Sequence, residues 1–265
     1  MSSHRIFAPW RRRPVDHDVH EQGIGGNVRF LVFQHIACEH PGIFRKFFAA
    51  DGIAWDAVEL DEGAAIPALE NYDALWVMGG PMDVWDVDEC PWLVDEKRAI
   101  RRWVRELEKP FMGLCLGHQL LADALGGTCG PQRPPEIGIL DVALTTEAES
   151  DPVFGNLPKE FKAVQWHSVR VAQPPEGAVV LAKSDICPCQ AMRVGKTAWS
   201  MQYHVEIEDN TIDDWGNIPA YAQALERTHG PGALPRMAEA AKPHTANFAA
   251  DAEMLYRNFM RTIRQ

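Results

Sequence analysis

The sequence predicts an α/β protein: an open, mainly parallel sheet with helices on both faces. Three observations carry that expectation. Between residues 28 and 127, short apolar runs alternate with stretches of helical period, and such alternation implies right-handed crossovers between parallel strands. The runs are apolar at nearly every position, as in strands covered on both faces. They also stop abruptly at glycine, proline or a polar cluster, in the places where open α/β sheets bind ligands.

Taken in order, "VRFLVFQ" (Val28 to Gln34) is the first strand. "PGIFRKFFAADG" has helical spacing, with Gly52 placed to stop the helix. "IAWDAVEL" is a second strand and "YDALWVMGGP" a third, ending at Gly79, Gly80 and Pro81. "PWLVDEKRAIRRWVRELEKP" reads as a helix closed by Pro110, "FMGLC" as the fourth strand and "QLLADALGG" as the helix leaving it. From about Thr128 the character changes. "EIGILDVALT", "FKAVQWHSVRV", "GAVVLAKS", "CQAMRVG" and "TAWSMQYH" are spaced, strand-like segments with turn residues between them. They are expected to form a mixed or antiparallel extension of the same sheet. From Ile207 onward the chain is helical, as in "TANFAADAEMLYRNFMRTI". The expected organisation is a disordered leader over 1–27, one domain over 28–206 and a helical extension over 207–265 packed on that domain.

The chain has 265 residues, 26 lysines and arginines against 37 acidic residues, and a net charge of −11. That balance argues against nucleic acid or an anionic membrane as a partner. Its apolar runs fall far short of the roughly 20 residues that span a bilayer. The leader carries three consecutive arginines but no apolar region after them, so it does not read as a secretory signal. The six cysteines accordingly read as reduced thiols of a cytoplasmic protein. "CPC" at Cys187 to Cys189 lacks the second close pair that a zinc site of about four ligands needs. Neither a metal nor a cofactor is expected.

One of the strand exits, "FMGLCLGHQLLADALGG", holds Cys115 in a tight turn between Gly113 and Gly117. A packed core thiol is the plain explanation. The other is a nucleophile: a helix amino end favours thiolate over thiol, and such a turn exposes the sulfur while requiring small residues around it, as in the serine elbow of α/β-hydrolases. A thiolate needs a base and a group that orients the base. "AWSMQYHVEI" supplies both, because His204 and Glu206, two apart on a strand, share a face while Val205 points away.

"GLCLGHQ", "MGGP" and "QYHVE", in this order, resemble the class I glutamine amidotransferase family, the Cys-His-Glu triad enzymes. "EIG" at Glu136 and "QWHS" at Gln165 are most similar to the stand-alone, GMP synthase-like branch. The match runs from about Val28 to Glu206, with Val205 where the family usually has proline. The resemblance implies a flavodoxin-like sheet and cysteine-dependent hydrolysis of a γ-glutamyl amide through a thioester. It implies Cys115 as nucleophile, His204 as its acid–base partner and Glu206 as the residue orienting His204. It further implies an oxyanion hole from the N–H groups of Gly80 and Leu116, and substrate contacts from Gln119, Trp166, His167, Ser168 and Glu136. The substrate would be glutamine, with ammonia passed to a separate synthase subunit, since no glycine-rich phosphate loop follows Glu206. The alternatives are a stand-alone γ-glutamyl peptidase acting on glutathione-like compounds and a non-catalytic regulatory or binding protein on the same fold.

The remaining unusual positions carry plainer expectations. "HIACEH" is a strand-exit loop whose Glu39 and Pro41 shape the lip of a pocket rather than a metal site, and His118 is a packing residue at the helix start. Trp85 and Trp92 flank the loop after "MGGP" and either cover the pocket or pack beneath it.

Overall fold

The computed structural model describes residues 28–263, so the expected leader lies outside the described residues. Nine strands form one sheet. They are β1 (Arg29–Gln34), β2 (Ala54–Glu59), β3 (Ala74–Val77), β4 (Phe111–Leu114), β5 (Thr128–Leu144), β6 (Glu160–Gln173), β7 (Ala178–Lys183), β8 (Ala191–Val194) and β9 (Ala198–Met201). The spatial order is β2-β1-β3-β4-β9-β8-β7-β5-β6. The five strands from β2 to β9 are parallel, and the pairings from β9 through β6 are antiparallel. The open α/β sheet with an antiparallel extension is therefore present, and its two halves meet at β9.

Seven helices accompany the sheet: α1 (Phe44–Ala50), α2 (Trp92–Arg102), α3 (Leu116–Ala124), α4 (Thr211–Gly216), α5 (Pro219–His229), α6 (Ala233–Ala241) and α7 (Thr245–Ile263). The helix expected to end at Pro110 loosens earlier, into a π turn over Trp103–Leu107, and stops at Glu108 with φ 50°. Disfavour of helical conformation ahead of a proline accounts for the early stop.

Strand alternation divides the core. Phe30, Val32, Trp76 and Met112 pack with Phe44 and Phe48 of α1 and Leu255 and Phe259 of α7. Leu31, Phe33, Leu75 and Val77 point to the other face, against Leu93 and Ile100 of α2 and Leu120 of α3. A third cluster joins Ile137, Val164 and Trp166 of the antiparallel half to Ile212, Trp215, Tyr221 and Met237 of α4 to α6. The C-terminal helices thus have two tasks: α7 closes the main sheet, while α4 to α6 build a wall at its carboxyl edge. That edge carries the exits of β1, β3, β4 and β9.

Candidate active site

Cys115 joins β4 to α3 with φ 50° and ψ −103°. A non-glycine residue held at positive φ stores strain on the order of 1–3 kcal/mol, and such residues cluster at functional sites, although Glu108 shows that a helix end can hold one too. The turn is closed by a bond from the Cys115 N–H to the Met201 carbonyl, at 2.8 Å, which ties the elbow to the end of β9. Its glycines are obligatory. A Cβ on Gly117 would lie 2.1 Å from the Val77 carbonyl oxygen, and one on Gly113 would lie 2.7 Å from that of Gly117.

Beyond β9 the chain continues through an isolated bridge between His204 and Val164 of β6, which aims the histidine back toward β4. His204 Nδ1 and Glu206 Oε1 are 2.5 Å apart, and the other Glu206 oxygen accepts from the Val205 N–H at 3.0 Å. Val205 itself is buried in the apolar core. With Nδ1 occupied, Nε2 is left for the Cys115 sulfur, which interacts with the ring by charge and hydrogen bond. Burial works to depress the His204 pKa, but Glu206 and Cys115 outweigh it and hold the ring well above the ordinary imidazole range. The Trp215 ring packs edge-on against the imidazole, 4.5 Å between centroids. The five other cysteines are placed differently. Burial and nearby acids push Cys38, Cys129 and Cys187 up to about 12 and Cys90 to about 11, and burial beside Cys187 and Cys129 pushes Cys189 up to about 12, so they persist as thiols.

Cys115 lies on the wall of a cleft lined by Gly80, Leu116, Gln119, Trp166, His167 and Ser168, with Tyr221 and Arg227 contributed by α5. Among the described residues, the N–H groups of Gly80 and Leu116 donate to no partner, and both border the cleft. The Leu116 N–H is one of the free donors at a helix start. Gln119 reaches the cleft but is committed inward: its Nε2 donates to the Val169 carbonyl and to Gln202 Oε1, each at 3.1 Å. Gln202 Nε2 in turn donates to the Cys115 sulfur at 3.6 Å. Glu136 does not line the cleft. It sits behind His167, with His167 Nε2 at 3.1 Å, and its oxygens accept from Ser184 Oγ at 2.5 Å and Gln190 Nε2 at 2.9 Å. A carboxylate so saturated reaches a substrate only through His167. His118 is wholly buried between Ser200 and the Cys189 carbonyl, and burial lowers it to about 3.

Sequence reasoning placed Glu39 only at the lip of the pocket and overlooked other neighbours of the site. Glu39 is buried and within ligand distance of His204 and Glu206; burial raises its carboxyl, and it accepts from Tyr221 Oη at 2.6 Å. Only the position of Gln202, two residues before His204 on the same strand face, offered a signal in the sequence. His35 and Glu96 form a second overlooked pair beneath the "MGGP" loop. Two trios of side chains, Glu136–His167–Cys187 and Glu39–His204–Glu206, bring metal-ligating atoms within 4.8 Å of one another. In each, a carboxylate is already spent on hydrogen bonds, Glu136 on Ser184 and Gln190, Glu206 on His204 and the Val205 N–H.

A sheet of this order, with a thiol elbow faced by a histidine–glutamate pair, defines a glutamine amidotransferase-like domain. The family model described as glutamine amidotransferase class-I matches residues 47–214, and the chain belongs to that family. It is 30% identical over 154 residues to one subunit of the glutamine-hydrolyzing GMP synthase of Sulfolobus acidocaldarius, covering 58% of this chain and 77% of that one. The glutamine amidotransferase-like protein YfeJ of Salmonella typhimurium is 28% identical over 218 residues, 80% of this chain and 88% of that one. Among solved structures, a glutamine amidotransferase from Thermotoga maritima superposes with a TM-score of 0.79 at 24% identity, over 91% of this chain and 100% of the other. One from Methylobacillus flagellatus gives 0.76 at 27% identity, over 89% and 94%. Among the described residues, no helix is long and apolar enough to cross a membrane.

Proposed function

We propose that the protein hydrolyses the γ-amide of glutamine through a γ-glutamyl thioester on Cys115 and passes the ammonia to a separate synthase subunit. The observation that carries this reading is the line from Glu206 through His204 to Cys115, whose side chain borders a cleft together with two unengaged N–H groups. The Cys115 thiolate attacks the amide carbon, a C–S bond forms, and the carbonyl π electrons move to oxygen. The N–H groups of Gly80 and Leu116 stabilise that oxyanion; loss of one such donor costs about 3–4 kcal/mol. When the oxyanion collapses, the C–N bond breaks and imidazolium His204 gives its proton to the departing nitrogen. Neutral His204 then removes a proton from water, which attacks the thioester, releases glutamate and returns the thiolate. Glu206 holds the ring in place and supports its charge throughout. His167 and Ser168, with Trp166, contact the glutamyl end of the substrate, Glu136 steadies His167, and Gln119 contributes from the floor.

The name of the Sulfolobus relative, a subunit of a glutamine-hydrolyzing synthase, supports ammonia transfer. One feature favours a second reading. Arg227 stands exposed on the rim of the cleft, where a carboxylate on the leaving group would meet it. A γ-glutamyl peptide has such a carboxylate and glutamine does not. Glutamate release from glutamine and from γ-glutamyl dipeptides, measured side by side with Cys115→Ala as the blank, tests both. Faster turnover of the peptides, lost in Arg227→Ala, would replace the amidotransferase reading with a peptidase; release that survives in Cys115→Ala would remove the nucleophile altogether.

A further inference from the structure

We propose that His35 and Glu96 are positioning residues for the oxyanion hole, acting through the Gly79–Gly80 peptide. The inference rests on the reading of Cys115 as a nucleophile and of the Gly80 N–H as a donor to the oxyanion. In a trans peptide the carbonyl of one residue and the N–H of the next lie in one plane and point in opposite directions. The Gly79–Gly80 bond is trans. Whatever grips the Gly79 carbonyl therefore aims the Gly80 N–H.

His35, in the loop leaving β1, grips it: His35 Nδ1 is 2.7 Å from the Gly79 oxygen. A carbonyl oxygen only accepts, so Nδ1 carries the proton. The far nitrogen, Nε2, meets Glu96 Oε1 at 2.9 Å. Both side chains are wholly buried. A carboxylate oxygen likewise only accepts, so the ring donates from both nitrogens; burial opposes the charge this requires, and the Glu96 carboxylate foremost offsets it and raises the His35 pKa. A cationic donor on the carbonyl pulls electron density from the peptide and makes its N–H a stronger donor to the oxyanion.

The ring has no freedom to do otherwise. Trp92 stacks on it at 5.5 Å and 22°. Trp92 and Glu96 stand four apart on α2 and therefore share a face, so one helix holds the imidazole by its plane and by its edge. A Cβ on Gly80 would come within 2.9 Å of both His35 Cβ and a Leu116 methyl. The loop is thus moulded to His35 on one side and to the second oxyanion donor on the other. Apolar side chains would fill the same volume without the desolvation cost of a buried ion pair; what they lack is a donor for the Gly79 carbonyl. The sequence Glu96, His35, peptide parallels Glu206, His204, thiolate. One dyad serves the nucleophile and the other serves the oxygen it charges.

Glu96→Gln, which is nearly isosteric, and His35→Leu test this with two readouts on each variant. The first is kcat and KM for release of glutamate or nitroaniline from glutamine and L-γ-glutamyl-p-nitroanilide. The second is the rate at which iodoacetamide alkylates Cys115, a displacement that builds no oxyanion. The expected result is a fall in kcat of about 10- to 100-fold, less than the roughly 10²–10³ for outright loss of an oxyanion donor. KM should stay within about threefold and the alkylation rate should not change. Wild-type kcat in Glu96→Gln would overturn the proposal, as would equal losses in kcat and alkylation, which would mean general damage to the elbow. Should His35→Leu fail to fold, Glu96→Gln decides alone. Turnover that is no faster in wild type than in Cys115→Ala would sink the nucleophile reading instead, and the oxyanion-hole role with it.

Discussion

Glu206 and Glu136 each hold a buried histidine, within a few residues of the same cleft, and the two pairs are built for different work. Glu206 binds His204 Nδ1 and leaves Nε2 facing the Cys115 sulfur. Glu136 lies 3.1 Å from His167 Nε2 without a hydrogen bond to it, and the other nitrogen, Nδ1, is tied to the Val169 carbonyl two residues along its own strand at 2.8 Å. The first ring has one nitrogen held by a carboxylate and one turned to the thiol; the second has one tied to its own strand and the other turned to a carboxylate. A histidine–carboxylate pair becomes acid–base machinery only when the far nitrogen is offered to something that needs a proton. Residue type and burial are nearly the same in both pairs, so geometry alone separates them.

The sharpest way to break that comparison is to remove each ring. His204→Ala is expected to lower kcat by about 10²–10⁴, the usual contribution of a positioned acid–base group. His167→Ala should leave kcat within about tenfold and raise KM, because its ring moves no proton and supports a wall. Steady-state kinetics on glutamine checks both. Equal losses in kcat would mean that His167 takes part in the chemistry and that the distinction drawn from ring partners is wrong.

Removing the carboxylates gives a smaller and more diagnostic pair of effects. Glu206→Gln should cost about 10- to 100-fold in kcat and should also move the pH profile. On the proposed mechanism His204 must be imidazolium to protonate the departing nitrogen, so activity should fail on the basic side as pH rises through its pKa. Glu206 and the Cys115 thiolate raise that pKa against burial, with Glu39 and Tyr221 also facing the site. Deleting the Glu206 charge therefore shifts the basic limb of kcat to lower pH. Glu136→Gln should shift neither limb. A basic limb that stays put in Glu206→Gln would show that another charge, Glu39 foremost, supports the imidazolium.

Between the cysteines the same contrast is expected as selectivity. At pH 8, iodoacetamide should label Cys115 alone, because the other five are held as thiols chiefly by burial. Peptide mapping of the labelled chain reads the outcome directly. Comparable labelling of Cys38, the half-buried thiol beside Glu39, would weaken the claim that the elbow selects its cysteine.

How much of this was legible in the sequence depended on how local each piece is. Cys115, Gly113 and Gly117 occupy one turn, and His204 and Glu206 are two apart on an extended segment, so strand alternation and turn sterics were enough to propose them. The parallel half of the sheet was legible for the same reason: each strand and its helix follow one another in the chain. Strand order in the antiparallel half was not, since β9 inserts beside β4 and the chain reaches it only after building β5 to β8. The pairs that support the site were illegible because they join distant segments. His35 and Glu96 are 61 residues apart, and Tyr221 and Glu39 are 182 apart. Nothing in "HIACEH" discloses that its glutamate will be bound by a tyrosine of the C-terminal helices. Glu136 shows the converse: a motif marked the position, but only the fold reveals that its oxygens are consumed behind the wall.

Asp251, on α7 and far from the thiol, carries the comparison to its smallest effect. It is buried like Glu206 and Glu136, but among the described residues no hydrogen-bond or ion-pair partner meets its carboxylate. Burial alone pushes it up to about 6. An acid whose pKa rises on folding binds protons more tightly in the folded state, so stability is greatest below its unfolded value, near 4, and declines as pH rises toward 6. Above that the buried charge is a constant burden of about 1–3 kcal/mol. Asp251→Asn should therefore melt a few degrees above wild type at pH 8, with the difference shrinking to nothing near pH 4 and catalysis unchanged. Thermal unfolding of the two chains across that range is the check. A variant less stable than wild type at pH 8 would mean that Asp251 has a partner worth keeping, and that a buried carboxylate in this protein is paired even where it serves no reaction.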